Sequence, residues 1–378
     1  MALITVLQFL LAAALVIYLT INHLHLVRVK PVGGPLAEAP MVSVCVPARN
    51  EERGLEACLT SLLQQDYPHF EVIAVDDNST DATAAIIGEL SRQESNFIPV
   101  AGQPLPAGWC GKPFALHQAV QRARGEILMF TDADPVFKPW ALTSAVFTLQ
   151  VKNLDFLSLM PAAEFGSFWE RVVQPVIFGL IAAKTRFAKA NDDAHPHAMG
   201  FGAFIMIRKN MYARIGGHAS LKDVILEDIG LARLAKKNGA RCLVADAKEL
   251  FSIRMYHSLR EIWIGWRKNI YLAFHRSAGR TLAHGALLIG FLFTPYLVVA
   301  WHLWAASPWI WQALAWAALL LVLAAETGLC DELGLSRWTL LWFPLGAWIA
   351  VAIMFNSMLH IRLSGHSEWR GRKYPQPT

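Results

Sequence analysis

The sequence predicts an α/β domain set between membrane helices, and three observations predict it. From Met41 to about Ile253, short apolar runs of strand length alternate with amphipathic runs of helix length. Acidic residues gather at the carboxyl ends of successive apolar runs, where open parallel sheets bind ligands. Flanking this middle, Ala2 to about Ile21 and Thr281 to almost His360 are long apolar blocks with few charges. Composition agrees: of 378 residues, 54% are hydrophobic and only 17% charged, against about 25% charged in ordinary soluble proteins. That balance excludes disorder, a disulfide scaffold and a collagen-like fibre. The five cysteines (45, 58, 110, 242 and 330) form no CxxC pair and read as reduced, buried thiols, so the soluble part is expected to face the cytosol. A net charge of +5 without a long basic run suits a membrane-surface protein and excludes nucleic acid as the expected partner.

The first element, residues 1–22, reaches ~30 Å as a helix, enough to span hydrocarbon. A cleaved signal peptide needs positive charge before the apolar run, whereas His23, His25, Arg28 and Lys30 follow it, and Ala37-Glu38-Ala39 lies too far beyond it. An uncleaved anchor is expected. The second apolar block divides into 282–305, 309–329 and 338–360, broken at Ser307-Pro308 and at Asp331 to Arg337. Residues 281–361 are therefore read as about three membrane helices and residues 362–378 as a basic tail. The positive-inside rule places Arg28 and Lys30 in the cytosol. Four full spans then put Arg362, Arg370, Arg372 and Lys373 outside, against the same rule. The two ends disagree unless one candidate is interfacial or re-entrant.

Within the middle, residues 41–253, Val42–Val46 is a strand and Glu51–Gln65 a helix with Leu55, Leu59, Leu62 and Leu63 on one face. Phe70–Val75 is a second strand ending in Asp76-Asp77, after which Ser79-Thr80-Asp81 can cap the helix Ala82–Leu90. Strands follow at Phe97–Val100, Ile127–Phe130, Phe156–Met160, Ala203–Ile207 and Arg241–Val244, with helices at Phe114–Ala123 and Ile229–Lys237. From 254 to 280, Trp263, Trp266 and Ile270 form an aromatic stripe beside Arg260, Arg267 and Lys268, as in a helix lying in the membrane interface.

Asp132-x-Asp134, directly after a four-residue apolar strand, carries the sharpest chemical signal. Two carboxylates on a tightening loop can approach a hard divalent cation that also takes oxygens from a substrate diphosphate. The plain alternative is a helix cap. Asp76 or Asp77 can accept from a nucleobase or ribose, or simply shape the turn Asn78-Ser79-Thr80-Asp81. Pro47 to Glu51 links the first strand to the first helix, with Arg49 or Glu51 able to face a ligand. Lys112 is placed either to meet a phosphate as a point charge or as a solvated surface lysine. Glu227-Asp228 opens a helix, where acids are ordinary macrodipole partners, yet beside a metal site a carboxylate there is a general-base candidate. Asp192, Asp193, His195 and His197 lack metal-ligand spacing and read as a mobile loop. No P-loop, GxSxG or Gly-rich dinucleotide fingerprint occurs.

These stretches resemble membrane-anchored family 2 glycosyltransferases of the GT-A fold. The matching segments are Val42-Ser-Val-Cys-Val-Pro-Ala-Arg-Asn-Glu-Glu52, Val75-Asp-Asp-Asn-Ser-Thr-Asp81, Gly108-Trp-Cys-Gly-Lys112, Phe130-Thr-Asp-Ala-Asp134 and Leu226-Glu-Asp228. Within that family the chain looks similar to hopanoid-associated, carotenoid and ceramide-type lipid glycosyltransferases, through Arg254-Met-Tyr256 and Gly265-Trp-Arg-Lys-Asn269. The resemblance implies that Asp76 or Asp77, beside Pro47–Glu51, holds the nucleoside of a UDP-sugar, and that Lys112 meets its diphosphate. It implies Mg²⁺ or Mn²⁺ on Asp132 and Asp134, and Asp228 as the base on the acceptor hydroxyl. The order Trp266-Arg267 departs from the relatives' Gln/Arg-x-x-Arg-Trp motif, which argues against a processive polysaccharide synthase and leaves a diphosphate role for Arg267 open. The expected activity is inverting transfer of one sugar to a membrane-lipid hydroxyl by a multi-pass protein of the bacterial inner membrane, its catalytic domain in the cytoplasm. Polysaccharide synthesis, transfer to a polyprenyl phosphate, and a non-catalytic assembly role are the alternatives.

Overall fold

The computed structural model describes residues 1–369 and 371–375, and the chain folds as two compact units. Arg370 and residues 376–378 of the basic tail lie outside the described residues. Along the chain the strands are β1 (Val27–Arg28), β2 (Val42–Ala48), β3 (Phe70–Asp76), β4 (Phe97–Ala101), β5 (Ile127–Phe130), β6 (Val136–Phe137), β7 (Phe156–Met160), β8 (Ala162–Ala163), β9 (Ile205–Arg208), β10 (Cys242–Asp246), β11 (Phe251–Ile253), β12 (His366–Trp369) and β13 (Arg372–Pro375). The helices are α1 (Ala2–Leu24), α2 (Leu55–Leu63), α3 (Thr83–Gln93), α4 (Gly111–Arg122), α5 (Ala141–Val151), α6 (Phe168–Thr185), α7 (Phe187–Ala190), α8 (Lys209–Arg214), α9 (Glu227–Lys237), α10 (Leu259–Ala273), α11 (Ala278–Leu292), α12 (Thr294–Trp304), α13 (Trp309–Glu332) and α14 (Phe343–Ser364).

One unit, Leu26–Glu164 with Phe187–Met255, is built on an eight-stranded sheet of order β1-β10-β7-β9-β5-β2-β3-β4. Its strands run parallel except β9, which is antiparallel to both β5 and β7. The strand expected near Ala203–Ile207 therefore reverses the sheet. Period-two alternation divides the core: Val42, Val44 and Val46 of β2 face α2 and α5, while Cys45, with Phe130 of β5, packs against α4 and α9. β2 pairs with β3 on one side and β5 on the other, so the chain reverses direction across the sheet at β2. The crevice beyond the carboxyl ends of β2 and β5 is the topological switch point of an open sheet. A three-stranded sheet, β6-β11-β8, was not legible in the alternation because two of its strands have only two residues.

The other unit comprises Met1–His25, Phe165–Arg186 and Tyr256–Thr378, so α6 interrupts the continuous 41–253 domain of the sequence reading. Its helix α6 starts with a capping box of Ser167 and Glu170. Helices α1, α13 and the stretch Arg337–Ser364 are each long and apolar enough to cross a membrane. The candidate 282–305 is instead a broken pair, α11 and α12, bent by 45°. The α10 stripe faces protein rather than lipid: Trp266 and Ile270 are buried, and Trp263 Nε1 donates to Asn356 Oδ1 at 3.0 Å. Gly265 has no side chain to displace the Tyr256 ring packed over it.

A buried polar knot fixes the base of the large sheet. Glu71 is fully buried on β3, where one oxygen accepts from Ser43 Oγ at 2.7 Å and from the Arg124 amide at 2.7 Å. The other oxygen accepts from the Arg124 guanidinium at 2.7 Å. Burial pushes the carboxyl up, but these donors and the Arg124 charge hold it below the usual glutamate range. A lowered value stabilises the fold above the ordinary carboxylate range, and that contribution is lost as pH falls through the folded value. Glu71→Ala leaves Ser43 and the Arg124 amide without their acceptor and is expected to cost about 2–4 kcal/mol, read as a lower melting temperature at neutral pH. An unchanged melt would show that the knot contributes nothing.

Candidate active site

The carboxyl edge of the large sheet, beyond β5, gathers the acidic set by backbone geometry. β5 ends at Phe130, and the Thr131 hydroxyl donates to the Ala203 carbonyl at 2.8 Å, tying the Asp132–Asp134 loop to the segment entering β9. From that segment the Gly202 amide donates to Asp228 Oδ2 at 3.1 Å, while the Ile229 amide donates to Asp228 Oδ1 at 2.8 Å. Lys112, in the first turn of α4, places its ammonium 2.5 Å from Asp132 Oδ1 and 2.7 Å from Glu227 Oε1. Three separate elements thus converge on one cation. Gly202 is the floor beneath it, because a Cβ there would lie 2.7 Å from Lys112 Nζ and 3.3 Å from Asp132 Oδ2.

Electrostatics follow from this crowding. Burial, then the charges of Asp132 and Glu51, push the Asp134 carboxyl well above the usual range. Burial, then the adjacent Glu227, push Asp228 up to about 7. Burial pulls Lys112 down, but Asp132, Glu227 and Asp228 outweigh it and keep the ammonium firmly charged. Asp132, Asp134, Glu227 and Asp228 therefore crowd around Lys112, an arrangement that favours a further cation. The donors are all hard oxygens, as Mg²⁺ or Mn²⁺ requires. Among the described residues no three His, Cys, Asp or Glu side chains form a ready metal cage, which fits an ion that takes its remaining ligands from water and a substrate diphosphate. Asp132 and Asp134 fit that role.

The turns after β2 and β3 are laced together beside this cluster. Asn50 and Asn78 both adopt left-handed backbone, which asparagine tolerates. The Asn50 amide donates to Ser79 Oγ at 3.1 Å, and Asn50 Oδ1 accepts from the Thr80 amide at 2.8 Å. Arg49 donates to the Asp77 and Asn78 carbonyls, so it pins the turn rather than reaching into the crevice. Asp76 Oδ1 accepts from the Ser79 amide at 3.1 Å, the turn-shaping role, while Asp77 is buried at 3% exposure. Pro47 is half-buried at the end of β2, and the Glu51 amide donates to Thr83 Oγ1 at 2.9 Å. Asp81 Oδ1 accepts from the Thr83 amide at 3.0 Å and so serves the start of α3.

Not every singled-out residue joins the cluster. Arg267 belongs to the other unit, on α10, where its carbonyl accepts from Ser357 Oγ at 2.6 Å. The 191–197 loop is anchored rather than mobile: Asn191 exchanges hydrogen bonds of 3.0 and 2.7 Å with Val244, and Asp193 accepts from the Cys242 amide at 3.0 Å. Sequence reasoning missed Gly200 and Gly202, although Gly200-Phe-Gly202 before a strand was the available signal for close backbone approach. It also missed His218, buried at 1% exposure, whose Nδ1 shares a 2.7 Å hydrogen bond with Tyr212 and whose ring stands edge-on to Phe130 just ahead of the acidic loop.

Comparison with known proteins identifies the domain that carries this cluster. The model described as "Glycosyl transferase family 2" matches residues 43–216, the segment that supplies Asp76, Asp77, Lys112, Asp132 and Asp134. Residues 43–216 form a family 2 glycosyltransferase domain. It is 27% identical over 233 residues to 4,4'-diaponeurosporenoate glycosyltransferase of Staphylococcus aureus (strain MRSA252), which covers 61% of this chain and 60% of that relative. The match thus spans less than two thirds of the curated relative's length. In fold, the chain is similar to mannosyltransferase PcManGT from Pyrobaculum calidifontis, solved in complex with GDP-Man and Mn²⁺. That similarity has a TM-score of 0.57 at 18% identity and covers 96% of this chain and 97% of the other. It supports the GT-A architecture.

The raised Asp228 has a consequence for stability. Between the ordinary aspartate value and about 7, the folded protein holds a proton that the unfolded chain releases, so stability falls as pH rises through that window. Asp228→Asn removes the penalty while keeping an acceptor for the Gly202 or Ile229 amide. It is expected to raise stability by about 1–2 kcal/mol above pH 7, allowing for solvent at a half-buried group, with no gain near pH 4. Melting curves at the two pH values check this, and equal stability of both proteins throughout would contradict it.

Proposed function

We propose that this glycosyltransferase moves a single sugar from a nucleotide-sugar, with UDP-sugars the favoured donors, to a hydroxyl of a membrane lipid, inverting the anomeric centre. The observation that carries the reading is the Asp228 carboxylate, oriented by two backbone amides within the cluster that contains Lys112 and Asp132. Asp228 accepts the proton of the acceptor O–H as that oxygen bonds to the anomeric carbon. The bond from that carbon to the diphosphate oxygen breaks on the opposite face, and the electron pair leaves with the nucleoside diphosphate. Lys112 places a fixed positive charge against the diphosphate, and Glu227 holds Lys112 there when Asp132 turns to other partners. When bound, Mg²⁺ or Mn²⁺ on Asp132 and Asp134 neutralises charge on the departing diphosphate. The laced turns around Pro47, Glu51, Asp76 and Asp77 form the edge where the nucleoside docks.

The lipid acceptor rests on two supports: the apolar helices of the helical unit, and the carotenoid-type relative in Staphylococcus aureus. A lipid tail stays in the bilayer while its hydroxyl rises to Asp228. Arg28 and Lys30 next to α1 support a cytoplasmic catalytic unit, and we read the membrane as a bacterial inner membrane.

Release of nucleoside diphosphate by the purified protein in lipid nanodiscs tests this, using a panel of UDP-sugars and GDP-mannose, with and without Mg²⁺ or Mn²⁺ and a lipid extract. One donor should support release that needs both metal and lipid. Asp132→Asn and Asp228→Asn should each lower kcat by about 10²–10⁴-fold, and the rate should fall below pH 7 as Asp228 takes up its proton. Full transfer by both variants would overturn the assignment. Gly202→Ala should leave the melt unchanged, because only the flexible end of Lys112 must move, but should weaken UDP binding about tenfold by displacing that charge.

A further inference from the structure

Isolated polar contacts fix the direction of the apolar helices in the helical unit, Met1–His25 with Phe165–Arg186 and Tyr256–Thr378. Near the start of α1, Thr5 Oγ1 lies 2.7 Å from His302 Nε2 of α12. Gln8 donates to the Gly290 carbonyl of α11 at 2.8 Å. Near the end of α1, Asn22 donates to the Ala182 carbonyl of α6 at 2.8 Å, and Tyr18 to Ala183. Helix α13 begins seven residues after His302 and packs along α1, and its Leu329 lies against Gly179 of α6. Helices α1 and α13 therefore run parallel. The chain must return between them, and α11 with α12 makes that return.

Helix α14 behaves differently. After the 3₁₀ turn Arg337–Trp342, its start is held on α6, with Trp342 edge-on to Phe168 at 5.1 Å and Gly346 against the Val172 carbonyl. Its end is held on α10: Ser357 bonds the Arg267 carbonyl at 2.6 Å and the Tyr271 amide at 3.1 Å, and Met358 and Ile361 cluster with Tyr271. Both α6 and α10 are joined within a few residues to segments of the catalytic unit, at Glu164, Phe187 and Met255. Between these ends α14 runs along α11, with Trp348 edge-on to Phe293 at 5.4 Å and Val351 against Gly285, so its end returns to the level of the start of α11. β12 packs on α10 and α14 as well.

The geometry points to three crossings, by α1, by the broken pair and by α13, with α14 re-entrant. The basic tail then lies on the catalytic side against anionic phospholipid headgroups. This count removes the conflict between the two ends of the sequence, since Arg28 and Lys30 now share a side with Arg362, Arg370, Arg372 and Lys373. Glu368 is the one acid among residues 361–378, so the tail's charge complements an anionic leaflet.

The inference rests on the membrane reading above but not on sugar transfer. It is tested by labelling single-cysteine variants of the full chain with an impermeant maleimide in right-side-out and inverted vesicles. The five native cysteines are buried, and the unmodified protein gives the background. Lys152→Cys reports the catalytic unit, Thr378→Cys the tail, and Ala306→Cys the turn between α12 and α13. The expected result is that Lys152→Cys and Thr378→Cys label in one vesicle orientation and Ala306→Cys in the other. A tail that labels with Ala306→Cys overturns the re-entrant α14. Labelling of all three in both orientations overturns the membrane reading itself, whatever the transfer assay shows. For the headgroups, native mass spectrometry of phosphatidylglycerol adducts compares the protein with Arg362→Gln and Arg372→Gln. Each substitution is expected to weaken retention about fivefold, and equal retention overturns the headgroup assignment.

Discussion

The contact on which the site depends is the ammonium of Lys112, shared between Asp132 and Glu227. Asp132 comes from the loop after β5, Glu227 from the first turn of α9, and Lys112 from the first turn of α4. Nothing apolar can hold these three polar ends together at the rim of a sheet. A charged lysine among carboxylates does so because each carboxylate is worth more paired than solvated once partly buried. The same charge is what a diphosphate needs. On the proposed reading the fold holds its donor-binding charge beforehand as a structural contact, and the acidic excess around it would suit a divalent ion.

The sheet supplies the other half of the constraint. Reversal of direction at β2 opens the crevice, but β9, running antiparallel between β5 and β7, is what delivers Gly202 beneath Lys112. The segment entering an antiparallel strand sits at the carboxyl edge of its parallel neighbours. The Gly202 amide can then orient Asp228 from the same edge that carries Asp132. A side chain at this position would stand in the space taken by the lysine, so the chemistry depends on a residue that contributes only its backbone.

Much of this was legible in the residues. Ile127–Phe130 and Phe156–Met160 are strands with the bounds read from their apolar runs, because each is buried on both faces and ends at a polar turn. The acidic pairs at strand ends and the opening of α9 by Glu227-Asp228 follow from the same pattern. Helix starts were less legible: Glu51 to Gly54 precede α2 as turns, since Asn50 is left-handed and the Glu51 amide is already committed to Thr83. The direction of β9 could not be read, because antiparallel and parallel buried strands share one hydrophobic pattern. Arg49 shows the deeper limit. An arginine beside a ligand-facing turn and one that pins that turn have the same sequence signature, and only the Asp77 and Asn78 carbonyls distinguish them.

The apolar unit obeys a different rule of legibility. In lipid, hydrophobicity gives helices no reason to choose one register over another, since tails and leucines are equally apolar. Register must come from polar atoms that cannot find water. Thr5, Gln8, His302 and Thr294 carry such atoms, and Thr294 closes the set with its hydroxyl 2.5 Å from Gln8 Oε1 and 2.8 Å from the Gly290 carbonyl. The bend between α11 and α12 falls beside Thr294 and Pro295, where a continuous helix would have lost a backbone bond in any case. Gln8 meets the Gly290 carbonyl, one residue before the carbonyl that Pro295 leaves without an amide. A break that is costly in hydrocarbon becomes the point at which the amino-terminal helix is locked to the carboxyl-terminal ones, which is why the anchor and the distant helices fold as one unit.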